Sequence, residues 1–139
     1  MWKTMYYINK MLTDLHFLID HTYNLTKEDI EQNEVLLDGI MFRLIQISEN
    51  SNKLTETFKK KHSEISWVSI KGMRNRLVHD YGEVDYSIVI DTILQDVPDL
   101  YDTLKEINWK KWKTWRVHNK KIVAFDSYIV HSNLLMIED

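Results

Sequence analysis

A chain of 139 residues, 44% hydrophobic and 28% charged, is most economically a single domain whose core needs no covalent staple. It has no cysteine, which excludes disulfide frameworks, thiolate zinc sites and cysteine nucleophiles and fits a reducing interior. The formal net charge of -3 argues against a generally basic nucleic-acid coat, so any grip on nucleic acid must come from local patches.

Three glycines and one proline leave few breaks and favour long helices over a strand-and-turn architecture. The start of the chain has no long apolar run and no small-residue cleavage site, and no uncharged stretch approaches the ~20 residues a bilayer requires. A cytoplasmic protein without a membrane span is the expectation. From Met5, the apolar residues Ile8, Leu12, Leu15, Ile19 and Tyr23 recur at steps of three and four, which predicts a first helix over about 4–22. Thr26 with Asp29 resembles a helix start, and Glu28, Asp29 and Glu31 decorate it favourably for the helix dipole. Leu37, Ile40, Met41, Leu44, Ile47, Leu54 and Phe58 then continue one stripe, predicting a long second helix over 31–60.

After Lys59-Lys60-Lys61-His62 comes a short break. Trp67, Ile70, Met73, Leu77 and Val78 predict a third helix that stops near Gly82. Asp85 reads as the N-cap of a fourth helix, with Ile88, Val89, Thr92 and Ile93 inward, and Pro98 suits a kink or a fresh first turn before Leu100, Leu104 and Ile107. The expected fold is therefore an all-α, up-and-down bundle of four to five helices over residues 1–107. Residues 108–139 form a C-terminal extension rich in Trp and Lys, ambiguous between helix and strand.

The third helix carries Gly-Met-Arg-Asn-Arg-Leu-Val-His-Asp-Tyr-Gly, residues 72–82. Arg74 supplies a permanent cation whose planar fork matches phosphate oxygens, His79 an imidazole that exchanges protons near neutrality, and Tyr81 a phenol. Asn75 and His79, four apart, share a helix face, so the amide could fix the imidazole tautomer. Arg74 and His79, five apart, diverge by about 140° on an ideal helix, so aiming both at one phosphate calls for a helix end at His79 or a second copy of the chain. A plain reading stands beside this one: Arg74 and Asp80 as solvated charges, His79 as a cap and Tyr81 packed at the helix end. RNA carries its own nucleophile in the 2′-hydroxyl, so its cleavage requires only a base, an acid and a cation for the developing phosphorane charge.

The run Ile65-Ser66-Trp67-Val68-Ser69-Ile70-Lys71-Gly72-Met73-Arg74-Asn75-Arg76-Leu77-Val78-His79-Asp80-Tyr81, followed by Asp85 and Asp96-Val97-Pro98-Asp99-Leu100, resembles the HepT family. In the N-terminal half, Leu25-Thr26 and Arg43-Leu44-Ile45-Gln46-Ile47-Ser48-Glu49 are similar to that family as well. Its members are the toxin halves of minimal nucleotidyltransferase (MNT) toxin-antitoxin modules, of type VII, within the HEPN superfamily. The resemblance implies a HEPN-type bundle and a metal-independent ribonuclease whose Arg-x4-His-x-Tyr motif faces its copy across a homodimer cleft. Arg74 and His79 would be the catalytic pair and Asn75 a support. Tyr81 would lie beside them and be the tyrosine to which an MNT-type nucleotidyltransferase antitoxin attaches AMP. Ser48 stands where the family usually has glycine, and the Trp/Lys extension is not a family hallmark. Two other readings are a non-catalytic nucleotide-binding or scaffold module for the nucleotidyltransferase and a plain helical dimerisation domain.

Residues 105–121 hold seven of the eighteen basic residues, interleaved with Trp109, Trp112 and Trp115, which could grip RNA or simply pack an aromatic stripe on the bundle. His16 and His21 lack the spacing of a helical metal pair, and His62, His118 and His131 are scattered, so no metal is expected. Gly39, Gly72 and Gly82 are isolated, which excludes a phosphate-cradling loop, and no cofactor is expected.

Overall fold

The computed structural model describes residues 2–79 and 84–118. Six helices follow in chain order: α1 (Trp2–Thr22), α2 (Lys27–Glu31), α3 (Glu34–Asn52), α4 (Glu56–Lys61), α5 (Trp67–His79) and α6 (Tyr86–His118). There is no strand among the described residues. The all-α bundle expected from periodicity is the observed fold, with four long helices and two short ones.

The core is built from the stripes the sequence announces. Ile8, Leu12 and Leu15 of α1, Ile40, Leu44 and Ile47 of α3, and Ile90, Ile93 and Leu104 of α6 are all buried. Helix α1 packs against both α3 and α6, α5 packs on α3, and α2 touches α3 and α6. Asp14 and Arg43 pin α1 to α3 with a 2.7 Å ion pair, and the guanidinium lies 4.0 Å from the centre of the Phe17 ring. Asn108 Nδ2 donates to Asn9 Oδ1 at 2.9 Å and ties α6 to α1.

Short polar side chains set where helices begin. Thr26 and Asp29 form a reciprocal capping box, as the sequence suggested. The Thr26 backbone and hydroxyl hold the Asp29 carboxyl below its ordinary value. Asn33 accepts from Leu36 N at 3.0 Å, Thr55 from Phe58 N at 3.1 Å, and Asp85 from Ser87 N at 2.9 Å. Asn24 takes the left-handed conformation, φ 59°, in the turn after α1, where asparagine is tolerated.

Four expectations need correction. The second helix is not continuous over 31–60: α3 begins after the Asn33 cap and ends at Asn52, and Thr55 starts α4, so Leu54 and Phe58 enter the core from two sides of a turn. Pro98 does not open a fresh first turn but lies inside α6, which is where the kink reading places it. Its missing N–H frees the carbonyl of Leu94, a residue 41% exposed that water can serve, while Val97 and Tyr101 on either side stay buried. Ile88 is 52% exposed because the inward stripe of α6 runs through Val89, Ile90, Ile93 and Val97. Tyr23, 73% exposed, lies one residue beyond the end of α1, where the helical period no longer applies. Gly82 lies outside the described residues.

Helix α6 continues through the 107/108 boundary to His118. There Trp112 is buried against Met5, with Trp109 and Trp115 half-buried beside them, in a small cluster separate from the main core. Of the two readings of the tryptophans, packing describes Trp112. Residues 119–139, including His131, lie outside the described residues.

Candidate functional site

Helix α5 carries the Arg-Asn-x3-His part of the motif, and α3 holds α5 at two adjacent positions. Ser48 Oγ, buried, donates to the backbone carbonyl of Ile70 at 3.0 Å. One residue on, Glu49 Oε1 accepts from Arg74 Nε at 2.6 Å. The serine found where the resemblance leads one to expect glycine thus adds an interhelical bond. Both partners of the Glu49–Arg74 pair are partly exposed, with side-chain exposures of 40% and 32%, so the pair is screened and worth about 1 kcal/mol to stability. Its greater effect is geometric. The Nε bond fixes the guanidinium plane while engaging one of five N–H donors.

Turning α5 by 100° per residue sorts its side chains. Trp67, Ile70, Met73 and Leu77 fall on the inward half, and all four belong to the core or pack against it. Val68, Gly72, Asn75 and position 79 fall within about 60° of one another on the opposite half. Val68 is 84% exposed, Asn75 is exposed and Gly72 is half-buried. A Cβ built on Gly72 meets nothing within 4 Å, so packing within one chain does not require glycine there. In mid-helix glycine costs roughly 1 kcal/mol relative to alanine. Arg74 falls between Ile70 and Trp67 on the inward half, on the side that meets Glu49 of α3, about 100° from the near edge of the outward stripe.

Position 79 is the last residue of α5, so the backbone is helical from Arg74 to His79 and the two positions stand about 140° apart. Of His79 only the backbone is described, and Tyr81 lies outside the described residues. Sequence reasoning quoted Glu49 as part of a run but gave it no role. The signal was present in that run, an acid on the helix that precedes the motif, but its pairing with a residue twenty-five positions away needed the fold.

A cleft of about 410 Å3 opens between α5 and α6, floored by Leu15, Leu44 and Ile47 and edged by Glu64, Asp96 and Asp99. None of Arg74, Asn75 or Glu49 lines it. Its carboxylates would repel a polyanion, so it is not the place for a phosphate backbone. Among the described residues no group of three or more His, Asp or Glu is arranged to hold a metal ion, and no helix is long and apolar enough to cross a membrane.

Residues 11–107 match the family model described as "Ribonuclease HepT-like". A provisionally named RNase of Caldanaerobacter subterraneus subsp. tengcongensis is 35% identical over 105 residues, covering 76% of this chain and 94% of that protein. A protein provisionally named ribonuclease HepT in Thermococcus cleftensis is 27% identical over 68% of this chain and 86% of its own length. A provisionally named RNase of Methanocaldococcus jannaschii is 24% identical over 73% of this chain and 84% of its own. No solved structure matches the chain.

Proposed function

The chain belongs to the HepT-like ribonuclease family, and on that premise we propose that it is a metal-independent RNA endonuclease that works as a homodimer and serves as the toxin of a type VII toxin-antitoxin pair. The observation that carries this reading is the division of α5: Glu49 fixes Arg74 on the side that faces α3, while Asn75 and position 79 lie on an outward stripe around the small Gly72. Two copies of α5 laid together along Val68, Gly72 and Asn75 bring position 79 of each copy into one seam. The 140° divergence within one helix is met when the arginine of one copy reaches past the seam to the phosphate that the histidine of the other serves.

In this mechanism one His79 takes the proton of the 2′-hydroxyl, which attacks the adjacent phosphorus and forms a cyclic phosphate. The other His79 gives a proton to the departing 5′-oxygen, and Arg74 stabilises the charge on the equatorial oxygens. Asn75, four residues before His79, orients the imidazole through one ring nitrogen and, in the neutral base, fixes its tautomer. Restraint comes from an MNT-type nucleotidyltransferase that transfers AMP from ATP to the hydroxyl of Tyr81, releasing pyrophosphate and the phenol proton and adding bulk and a negative phosphate to a groove meant for RNA backbone.

Purified protein is expected to cut RNA in the presence of EDTA, and Arg74→Ala and His79→Ala are each expected to lose at least a hundredfold in rate with the helical circular dichroism unchanged. Cleavage that survives either substitution refutes the assignment. RNA-free binding of nucleotide without cleavage would instead favour the scaffold reading. For the restraint, mass analysis after co-expression with the partner should find AMP-sized increments on the wild type and none on Tyr81→Phe.

A further inference from the structure

The two segments outside the family-matched residues meet each other. Residues 2–10 open α1, residues 108–118 close α6, and they join through Met5 on Trp112 and through Trp2 stacked on Trp115 at 6.3 Å. Together these segments carry six basic residues and no carboxylate. Helix α4, ending in Lys59-Lys60-Lys61, packs alongside, with Lys111 Nζ 5.1 Å from the centre of the Phe58 ring. Lys111 is held below its ordinary pKa by burial and by the charge of Lys61, which shows how closely cations crowd here. A chain of net charge -3 has concentrated positive charge on one end of the bundle.

That end also exposes aromatic surface. Trp2 and Tyr6 are 51% and 53% exposed, beside exposed Lys60, Lys61, Lys113 and Arg116. Cations that follow phosphates and flat rings that accept unstacked bases are the two ingredients of single-strand recognition. The end adjoins the candidate site, since Lys53, whose Nζ lies 5.5 Å from the centre of the Tyr7 ring, caps α3 four residues past Glu49, roughly 6 Å farther along the axis. We propose that residues 2–10, α4 and the last turns of α6 form a second RNA-binding face, outside the Arg74/His79 groove, which holds a single-stranded stretch of the substrate by its phosphates and stacks its bases on Trp2 and Tyr6. The identity of the polyanion rests on the ribonuclease reading; the existence of the face does not.

The test measures binding without cleavage. Fluorescein-labelled single-stranded RNA of about 16 nucleotides is titrated with His79→Ala protein over a series of salt concentrations, and with the same protein carrying Lys60→Gln, Lys61→Gln, Lys113→Gln and Arg116→Gln. Four lost phosphate contacts should weaken binding at least tenfold near 0.1 M salt and reduce the slope of log affinity against log salt by about 3. Trp2→Ala with Tyr6→Ala should weaken binding but leave that slope in place. Should the quadruple variant fold poorly, Lys61→Gln and Arg116→Gln taken singly should each lower the slope by about 0.7. Unchanged affinity and slope in folded variants overturn the proposal, as does equally tight binding of polyglutamate, which would assign the face to an acidic protein. Wild-type protein that binds RNA through these residues yet cuts none leaves this inference standing and removes the ribonuclease reading; cleavage with an unchanged slope does the reverse.

Discussion

In the proposed mechanism Glu49 is a positioning residue whose value lies in direction more than in energy. A free arginine side chain samples many rotamers, and the 2.6 Å bond to its Nε removes most of that freedom before substrate arrives. Glu49→Gln keeps a hydrogen-bond acceptor but gives up the charge, so folding stability should change by less than ~1 kcal/mol while RNA cleavage falls about tenfold in kcat/KM. Steady-state cleavage alongside urea unfolding separates the two, and unimpaired cleavage would show that Arg74 needs no anchor. Trp112 makes the opposite case, in which packing is everything. Its Nε1 is buried with no acceptor among the described residues, so Trp112→Phe gives up an unsatisfied donor together with some volume and should be tolerated. Trp112→Ala, which opens a cavity against Met5, should cost about 3–5 kcal/mol in the same unfolding assay. At this scale the sequence displayed Arg74, Asn75 and the tryptophans by residue type and local spacing. It could not display the Glu49 and Ser48 contacts, because twenty-odd intervening residues and a turn set those distances.

Periodicity located the start of every long helix of the bundle to within a few residues, though not the ends of α3 and α6, since one apolar face per helix is what a core demands. It failed where an apolar stripe and the backbone disagree. Leu54 and Phe58 keep the spacing of α3, yet the Thr55 hydroxyl caps a new helix between them. Pro98 is a backbone irregularity that buried neighbours carry through. Gly72 is the position where the element and its proposed use conflict most plainly. Gly72→Ala should stabilise the isolated chain by about 1 kcal/mol, because alanine is the better helix former and its methyl meets open space. If two α5 helices approach along the Val68–Gly72–Asn75 stripe, the same methyl lies in the seam and weakens the dimer. Thermal unfolding at low concentration, together with sedimentation over a range of concentrations, reads both effects. A more stable chain whose association is unaltered would move the dimer contact elsewhere. At the N-terminus of α2 the Asp29 carboxyl, depressed by its bonds to Thr26, contributes stability that is present above its ordinary value of 3.8 and is lost as pH falls through its lower folded value.

Charge is distributed over the whole molecule in a way that composition hides. A net charge of -3 says little about nucleic acid, but the fold brings the basic ends of α1, α4 and α6 together and leaves Glu64, Asp96 and Asp99 around the α5/α6 cleft. Under the proposed function a strand of RNA would be drawn toward one end of the bundle and away from that cleft, which would set its direction before it reaches Arg74. This ordering makes the salt dependence of cleavage a function of substrate length. A dinucleotide offers one phosphate and reaches only the groove, so raising salt from about 50 to 200 mM should lower its kcat/KM by roughly threefold. An RNA of about 16 nucleotides spans groove and basic end and releases counterions from some four further phosphates, so its kcat/KM should fall by about a hundredfold or more over the same range. Both series are measured on wild-type protein with identical buffers, so the comparison cancels any effect of salt on the fold or on the dimer. Equal slopes for the two substrates would mean that the basic end never meets the RNA being cut, whereas a steeper slope for the longer one follows from a grip that lies beyond the reacting bond.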